Sequence, residues 1–260
     1  MQEFLQQTTQ EFQIFLLILI RVSCLIVVAP IFGNQDLPVQ LKGGLTLIIT
    51  WVLWSVHGGA VASLPTGAEQ WLWAIITEAV FGLALAFVVN FIFTGAQLGG
   101  VIMGWQIGFG FINILDPLTG EEISLLGQFQ YILASLIFII VGGPLFLLEA
   151  LGDSLWIISP GALHFNPEIG HQVVLLFGEI FIIGVKVSAP VMVTLLMLGV
   201  IEGLIARTVP QMNILLVGFP IRIGTGLMVL AWSVTAIAAL YVSLFGGVPH
   251  LLRSVMKYMN

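Results

Sequence analysis

Six apolar runs separated by short breaks constrain this chain more than any other feature of its sequence. They span approximately Phe12–Phe32, Leu41–Val56, Trp71–Phe93, Tyr131–Leu151, Val173–Ile205 and Leu227–Phe245. A helix needs ~20 apolar residues to cross the hydrocarbon core of a bilayer, and most of these runs are close to that length. The expected fold is all-α: hydrophobic helical hairpins with about six apolar helices. The second run is short unless it continues past His57 to Leu64. The fifth is too long for one ordinary span and contains Pro190, so it is either one long kinked helix or a tight hairpin. Composition agrees. Of 260 residues, 59% are hydrophobic and 8% charged, where ordinary globular domains carry about a quarter charged. The chain is an integral membrane protein or a component of a hydrophobic complex.

Local chemistry marks the breaks. Thr119-Gly120-Glu121-Glu122 matches a capping box and is expected to start the helix leading to Leu151. Asn166-Pro167-Glu168 supplies an N-cap, a first-turn proline and an early acid for the fifth run. Pro30 with Gly33-Asn34 ends the first run, Pro38 opens the second, and Leu64-Pro65-Thr66-Gly67 reads as a surface turn. Glu3 and Glu11 stand where a signal peptide carries basic residues, and Arg21 interrupts the apolar run. The first segment is therefore expected to be retained as a structural helix.

Several chemistries find no support. A formal charge of −6 offers no basic face for nucleic acid. The single cysteine, Cys24, excludes an internal disulfide framework and a cysteine-based metal cluster; it is expected to be a small packing residue. His57, His164, His171 and His250 form no HExxH, and no GxSxG or Walker A pattern occurs. No cofactor is expected, and an enzyme is the weakest of the functional classes.

The charges inside apolar runs are the awkward feature: Arg21, Glu78, Glu149, Glu179, Lys186 and Glu202. Each centrally placed charge costs ~2.5–3.5 kcal/mol on insertion scales. The expectation is that partner chains satisfy at least some of them. Glu179 and Lys186 share a helix face but stand about 10.5 Å apart along the axis, so they either pair with other subunits or meet other helices and the interface. Basic residues do not orient the segments: Lys42, Arg207 and Arg222 would lie on one side, Arg253 and Lys257 on the other.

Two motifs stand out. Gly99–Pro117, GGVIMGWQIGFGFINILDP, is apolar yet crowded with glycine; six glycines fall between Gly95 and Gly110. Each costs a helix interior roughly 0.8–1 kcal/mol relative to alanine. An irregular apolar segment at membrane depth must be enclosed by protein or line a cavity, so the stretch reads as a gating loop. The plainer reading is helix packing through Gly100, Gly104 and Gly108, spaced by four, and the two readings can hold for successive halves. The second motif, Glu202–Ile223, carries Pro210 and Pro220, which are expected to end helices. Between the prolines lies the polar run Gln211-Met212-Asn213. Arg207, Gln211 and Asn213 form a candidate partner contact; an ordinary inter-helix loop is the plainer reading.

The residues ARTVPQMN at Ala206–Asn213, VGFP at Val217–Pro220, MGWQIGFGF at Met103–Phe111 with Asp116-Pro117, and Arg21, Pro30, Phe32 and Gly33 carry a family resemblance. The chain resembles the R subunit of the bacterial flagellar type III export gate, the FliR family, which has counterparts in virulence injectisomes. The resemblance covers essentially the whole chain. It implies a single copy in a helical hetero-oligomer with P and Q subunits, with residues 1–172 P-like and 173–260 a Q-like hairpin with a short tail. It implies further contacts with the B and A export subunits, a place in the inner membrane at the flagellar basal body, and unfolded export substrates as cargo. The family's plug loop falls on Gly104 to Asp116, so Phe109, Phe111 and Ile114 are the implied apolar plug positions, carried on Gly104, Gly108 and Gly110. The leading functional expectation is a non-enzymatic conduit closed by that loop. The alternative is a proton-coupled secondary transporter using carboxylates such as Glu78 and Glu202.

Overall fold

The computed structural model describes residues 1–33, 37–57, 65, 67–109, 124–161, 168–209, 211 and 214–259. Among them the chain forms eight helices and no strand: α1 Gln2–Val28, α2 Val39–His57, α3 Ala68–Ile107, α4 Leu125–Ile140, α5 Gly143–Ile157, α6 Glu168–Thr208, α7 Ile214–Gly246 and α8 Val248–Tyr258. Among the described residues five stretches are long and apolar enough to cross a membrane, six if α4 and α5 count as one broken span. The all-α expectation holds.

The helix boundaries depart from the apolar runs in instructive places. The third run continues past Phe93 to Ile107 as a single 40-residue helix, so the loop reading of Gly99–Pro117 is corrected over 99–107. The fourth run breaks at Val141-Gly142, where Gly142 takes φ 83° and Pro144 sits in the first turn of α5. Glycine occupies that left-handed conformation without the Cβ clash other residues meet. The fifth run is one helix of 41 residues with Pro190 inside it, about 60 Å long at 1.5 Å per residue. Pro220 also lies inside a helix, α7, instead of ending one. A proline removes one backbone hydrogen bond; in so long an apolar helix the remaining bonds and lateral packing outweigh that loss. Helix α4 starts from Ser124, whose side chain accepts from Gly127 N at 3.1 Å. The Thr119–Glu122 capping box lies outside the described residues, as do Asn166 and Pro167.

Two compact units interleave along the chain. The first takes Met1–Asn90, Gly142–Leu176 and Gly246–Asn260, the second Phe91–Val141 and Phe177–Phe245. In the first unit α1 packs on α2, and α5 on α8 and α2. Its core is built at helical spacing, from Ile18, Val22 and Leu25 on α1, Ala74, Phe81 and Leu85 on α3, Leu147, Leu151 and Leu155 on α5, and Val248, Leu252 and Met256 on α8. Helix α8 buries that one stripe and exposes Arg253 and Lys257. In the second unit Phe93 stacks edgewise on Phe138, ring centroids 5.5 Å apart, and Phe138 on Phe245 at 5.1 Å. Beside them the buried Tyr241 hydroxyl donates to Gln130 Oε1 at 2.8 Å.

Candidate functional site

The glycine-rich half of α3 is a packing face in the second unit, and its glycines serve two neighbours. Gly95 and Gly99 face α6: a Cβ built there would lie 2.8 Å from Ile183 Cβ and 2.8 Å from Val187 Cβ respectively. The contact is reciprocal, since Gly184 on α6 makes room for Leu98, whose Cγ would stand 3.0 Å from an added Cβ. Gly100 faces the start of α4, where a Cβ would come 2.5 Å from Gly127 Cα. Gly104 is looser, with Ser124 Oγ at 3.3 Å. The helix-propensity penalty of so many glycines is offset by this close approach, because tertiary packing decides most of a helix's stability.

The helix stops at Gly108. Its φ is 106°, and the Phe109 amide turns back to Gly104 O at 2.9 Å, the six-to-one bond of a Schellman cap. A side chain at Gly108 would meet two obstacles at once: the positive φ, and the Phe219 ring of α7, with Cε2 at 3.1 Å. Ile107, fully buried, also reaches α7, where Gly226 leaves space for it; a Cβ there would stand 2.5 Å from Ile107 Cγ1. The chain therefore leaves a helix end held from several sides, and Phe109 follows it, half-buried. Gly110, Phe111 and Ile114 lie outside the described residues, as do Asp116 and Pro117.

Three of the six internal charges, Arg21, Glu78 and Glu202, have ion-pair partners within the chain. In the first unit Arg21 and Glu78 are each 1% exposed. Arg21 Nε donates to Glu78 Oε2 at 2.6 Å, and its two terminal nitrogens reach Ser154 Oγ at 2.9 Å, Glu78 Oε1 at 3.1 Å and Ile158 O at 3.3 Å. Gly161 N donates to Glu78 Oε1 at 2.7 Å, and the guanidinium lies 4.6 Å from the centre of the Phe81 ring. A buried ion pair is tolerable when its remaining donors and acceptors are filled in this way. In the second unit Glu202 pairs with Arg222, whose Nε donates to Oε2 at 2.9 Å and Oε1 at 3.2 Å and whose Nη2 donates to Oε2. Arg222 thus belongs to a helix–helix ion pair and not to an inter-helix loop.

Other candidates stand apart. Glu179 and Lys186 are exposed on α6 and have no ion-pair partner among the described residues. Glu149 is exposed, Arg207 is exposed at the end of α6, Gln211 is exposed, and Asn213 lies outside the described residues. Sequence reasoning missed Ser154, Gly161 and Arg222 as partners of the internal charges, and Phe219 as the residue that pins Gly108. Only Arg222 and Phe219 carried a signal, by sitting inside the Glu202–Ile223 motif.

Long apolar helices pack through glycine, and Arg21, Glu78 and Glu202 are paired within the chain. The geometry suits a membrane-embedded scaffold. Residues 12–248 match the family described as bacterial export proteins, family 1, and the chain belongs to that family. It is similar to the flagellar biosynthetic protein FliR of Bacillus subtilis (strain 168), with 29% identity over 252 residues that cover 96% of each chain. Against the protein of the same name from Escherichia coli (strain K12), identity is 28% over 92% of this chain and 91% of that one. Against that of Aquifex aeolicus (strain VF5), it is 27% over 88% and 89%.

Proposed function

We propose that this chain is a structural, non-enzymatic subunit of the flagellar type III export gate, and that it forms part of the conduit for unfolded export substrates. Membership of the bacterial export proteins along nearly the whole chain supports the export role, and relatives named for flagellar biosynthesis support the flagellar setting. Its partners would be the P and Q gate subunits and the B and A export subunits, in the inner membrane at the basal body. A P-like part over 1–172 and a Q-like hairpin over 173–260 belong to the same proposal.

One observation carries the plug reading: the Gly108 cap, fixed against Phe219, from which Phe109 leads into the apolar sequence Phe111 to Ile114. A rigid base with an apolar tip suits a seal that works by packing and dewetting, with no covalent or strongly directional bond to break. A proton-coupled carrier is less well supported, because Glu78 and Glu202, the carboxylates it would use, are each held by an arginine.

The test replaces Phe109 and Phe111 together by alanine in the assembled gate. Ion conductance and growth sensitivity to small solutes should rise, while complex yield on native gels stays normal. A double variant that assembles fully and stays tight would remove the plug from the proposal.

A further inference from the structure

The first unit holds a second feature that the export reading leaves unused. A cavity of about 320 Å³ opens between the start of α1 and the end of α2, lined by Thr8, Glu11, Phe12, Phe15, Trp51 and Trp54. Its volume falls in the range of small-molecule sites. Trp51 and Trp54 stand 5.4 Å apart at a 55° tilt, and Phe15 meets Trp54 edge-on at 6.2 Å. The indole Nε1 of Trp54 is buried and has no acceptor among the described residues. Glu11, exposed at the rim, is the one charged residue of the lining among the described residues.

Position narrows the ligand. The cavity lies at the first residues of the apolar stretch Thr8–Val28 and the last of Val39–Val56, at one end of two candidate spans. Trp71 and Trp73 follow near the start of the next helix. Tryptophans concentrate at the headgroup level of a bilayer, where one edge of the ring is wet and the body is apolar. Aromatic faces beside a carboxylate attract an organic cation, and among the described residues no lysine or arginine lines the cavity to hold an anionic headgroup. Exposed Ile48 and Val52 on α2 continue the apolar surface away from it.

We propose that this cavity binds the headgroup of a phospholipid carrying a primary ammonium, the ethanolamine class. The ammonium sits against the indole faces and donates to the Glu11 carboxylate. The acyl chains lie along α2. The assignment rests on the membrane setting proposed above.

The full-length chain is purified in detergent with the partners it retains. It is then titrated separately with dioleoyl-phosphatidylethanolamine and dioleoyl-phosphatidylglycerol, and bound lipid is counted by native mass spectrometry. The ethanolamine lipid should be retained roughly tenfold better, as the loss of one ammonium–aromatic and carboxylate contact implies. Glu11→Gln should erase the preference, and Trp51→Ala should weaken it with helix content unchanged by circular dichroism. Glu149→Gln, an exposed carboxylate elsewhere in the unit, should leave it intact. Equal retention of the two lipids by the unaltered chain, or a preference that survives Glu11→Gln, overturns the site. Fractionation of the cells keeps the two ideas separate: a chain absent from membranes defeats the membrane setting, whereas a membrane-bound chain with no headgroup preference defeats only this site.

Discussion

Arg21 and Glu78 stand 57 residues apart in the chain yet meet through two hydrogen bonds, Nε to Oε2 at 2.6 Å and a terminal nitrogen to Oε1 at 3.1 Å. Around them Ser154, the Ile158 carbonyl and the Gly161 amide add three further hydrogen bonds. The cluster ties α1, α3 and the α5 region to one another inside the first unit. Its energetic character is asymmetric: the intact pair is near neutral against an apolar substitute, but half of it is expensive.

Arg21→Met or Glu78→Leu alone should destabilise the chain by about 3–5 kcal/mol, since each leaves a buried charge unpaired. The double variant should recover much of that loss. Thermal unfolding in detergent of the four members of the cycle measures the coupling. A strictly additive cycle would show that the two side chains do not depend on each other.

The Glu202–Arg222 pair should matter less. The arginine side chain is 38% exposed and the carboxylate 13%, so solvent screening reduces its worth to about 1 kcal/mol or less. Glu202→Gln should therefore lower stability far less than Glu78→Gln, and raising salt should narrow the difference between Glu202→Gln and the unaltered chain. Equal losses at the two sites would mean that the second pair is buried in the working assembly.

Glycine substitutions along α3 should rank by the space that each finds. Gly100→Ala forces a Cβ to 2.5 Å from Gly127 Cα, a backbone contact that cannot rotate away, at a cost of about 1–3 kcal/mol or more. Gly104→Ala meets only Ser124 Oγ at 3.3 Å and should cost less. It is read out through the Ser124 cap of α4, worth about 1 kcal/mol. Unfolding midpoints of the two variants give the order; a reversed order would contradict the packing described.

Gly108→Ala should destabilise the end of α3 by about 1–2 kcal/mol from its backbone conformation alone, and further through the Phe219 ring. Adding Phe219→Ala should relieve the second contribution and not the first. Hydrogen exchange at the Gly108 and Phe109 amides, both bonded to Gly104 O, reports the cap directly. Unchanged protection in Gly108→Ala would show that the cap tolerates a side chain.

Gly44→Ala should act in the opposite direction. Gly44 lies inside α2 and a Cβ there meets nothing within 4 Å. Replacing glycine in an open helix position gains roughly 0.5–1 kcal/mol. The isolated chain should melt higher. A higher melting point combined with a lower yield of assembled complex would identify this face of α2 as a subunit contact.

How much of this was legible beforehand depends on whether the information is local. The all-α class, the apolar runs and the start of α2 just after Pro38 follow from properties of neighbouring residues: runs long enough to span, a proline, and the lack of charge. Those same residues suggested a loop from Gly99, because propensity counts each glycine as a loss. The helix continues to Ile107 because Ile183, Val187 and Gly127 lie close enough to use the missing side chains, and nothing at positions 99–107 encodes where those residues will be. Gly108 differs from Gly104 only by its φ and the Phe219 ring, so identical residues four apart became a packing position and a helix stop. Charge followed the same division. The sequence by itself determined that ionisable groups would be carried into apolar helices. Only the tertiary structure decided that Glu78 receives Arg21 and Glu202 receives Arg222, while Glu179 and Lys186, seven residues apart on one helix, remain exposed. An ion pair forms between side chains a few ångströms apart in space, and separation along the chain says little about that distance once the helices within a unit have packed.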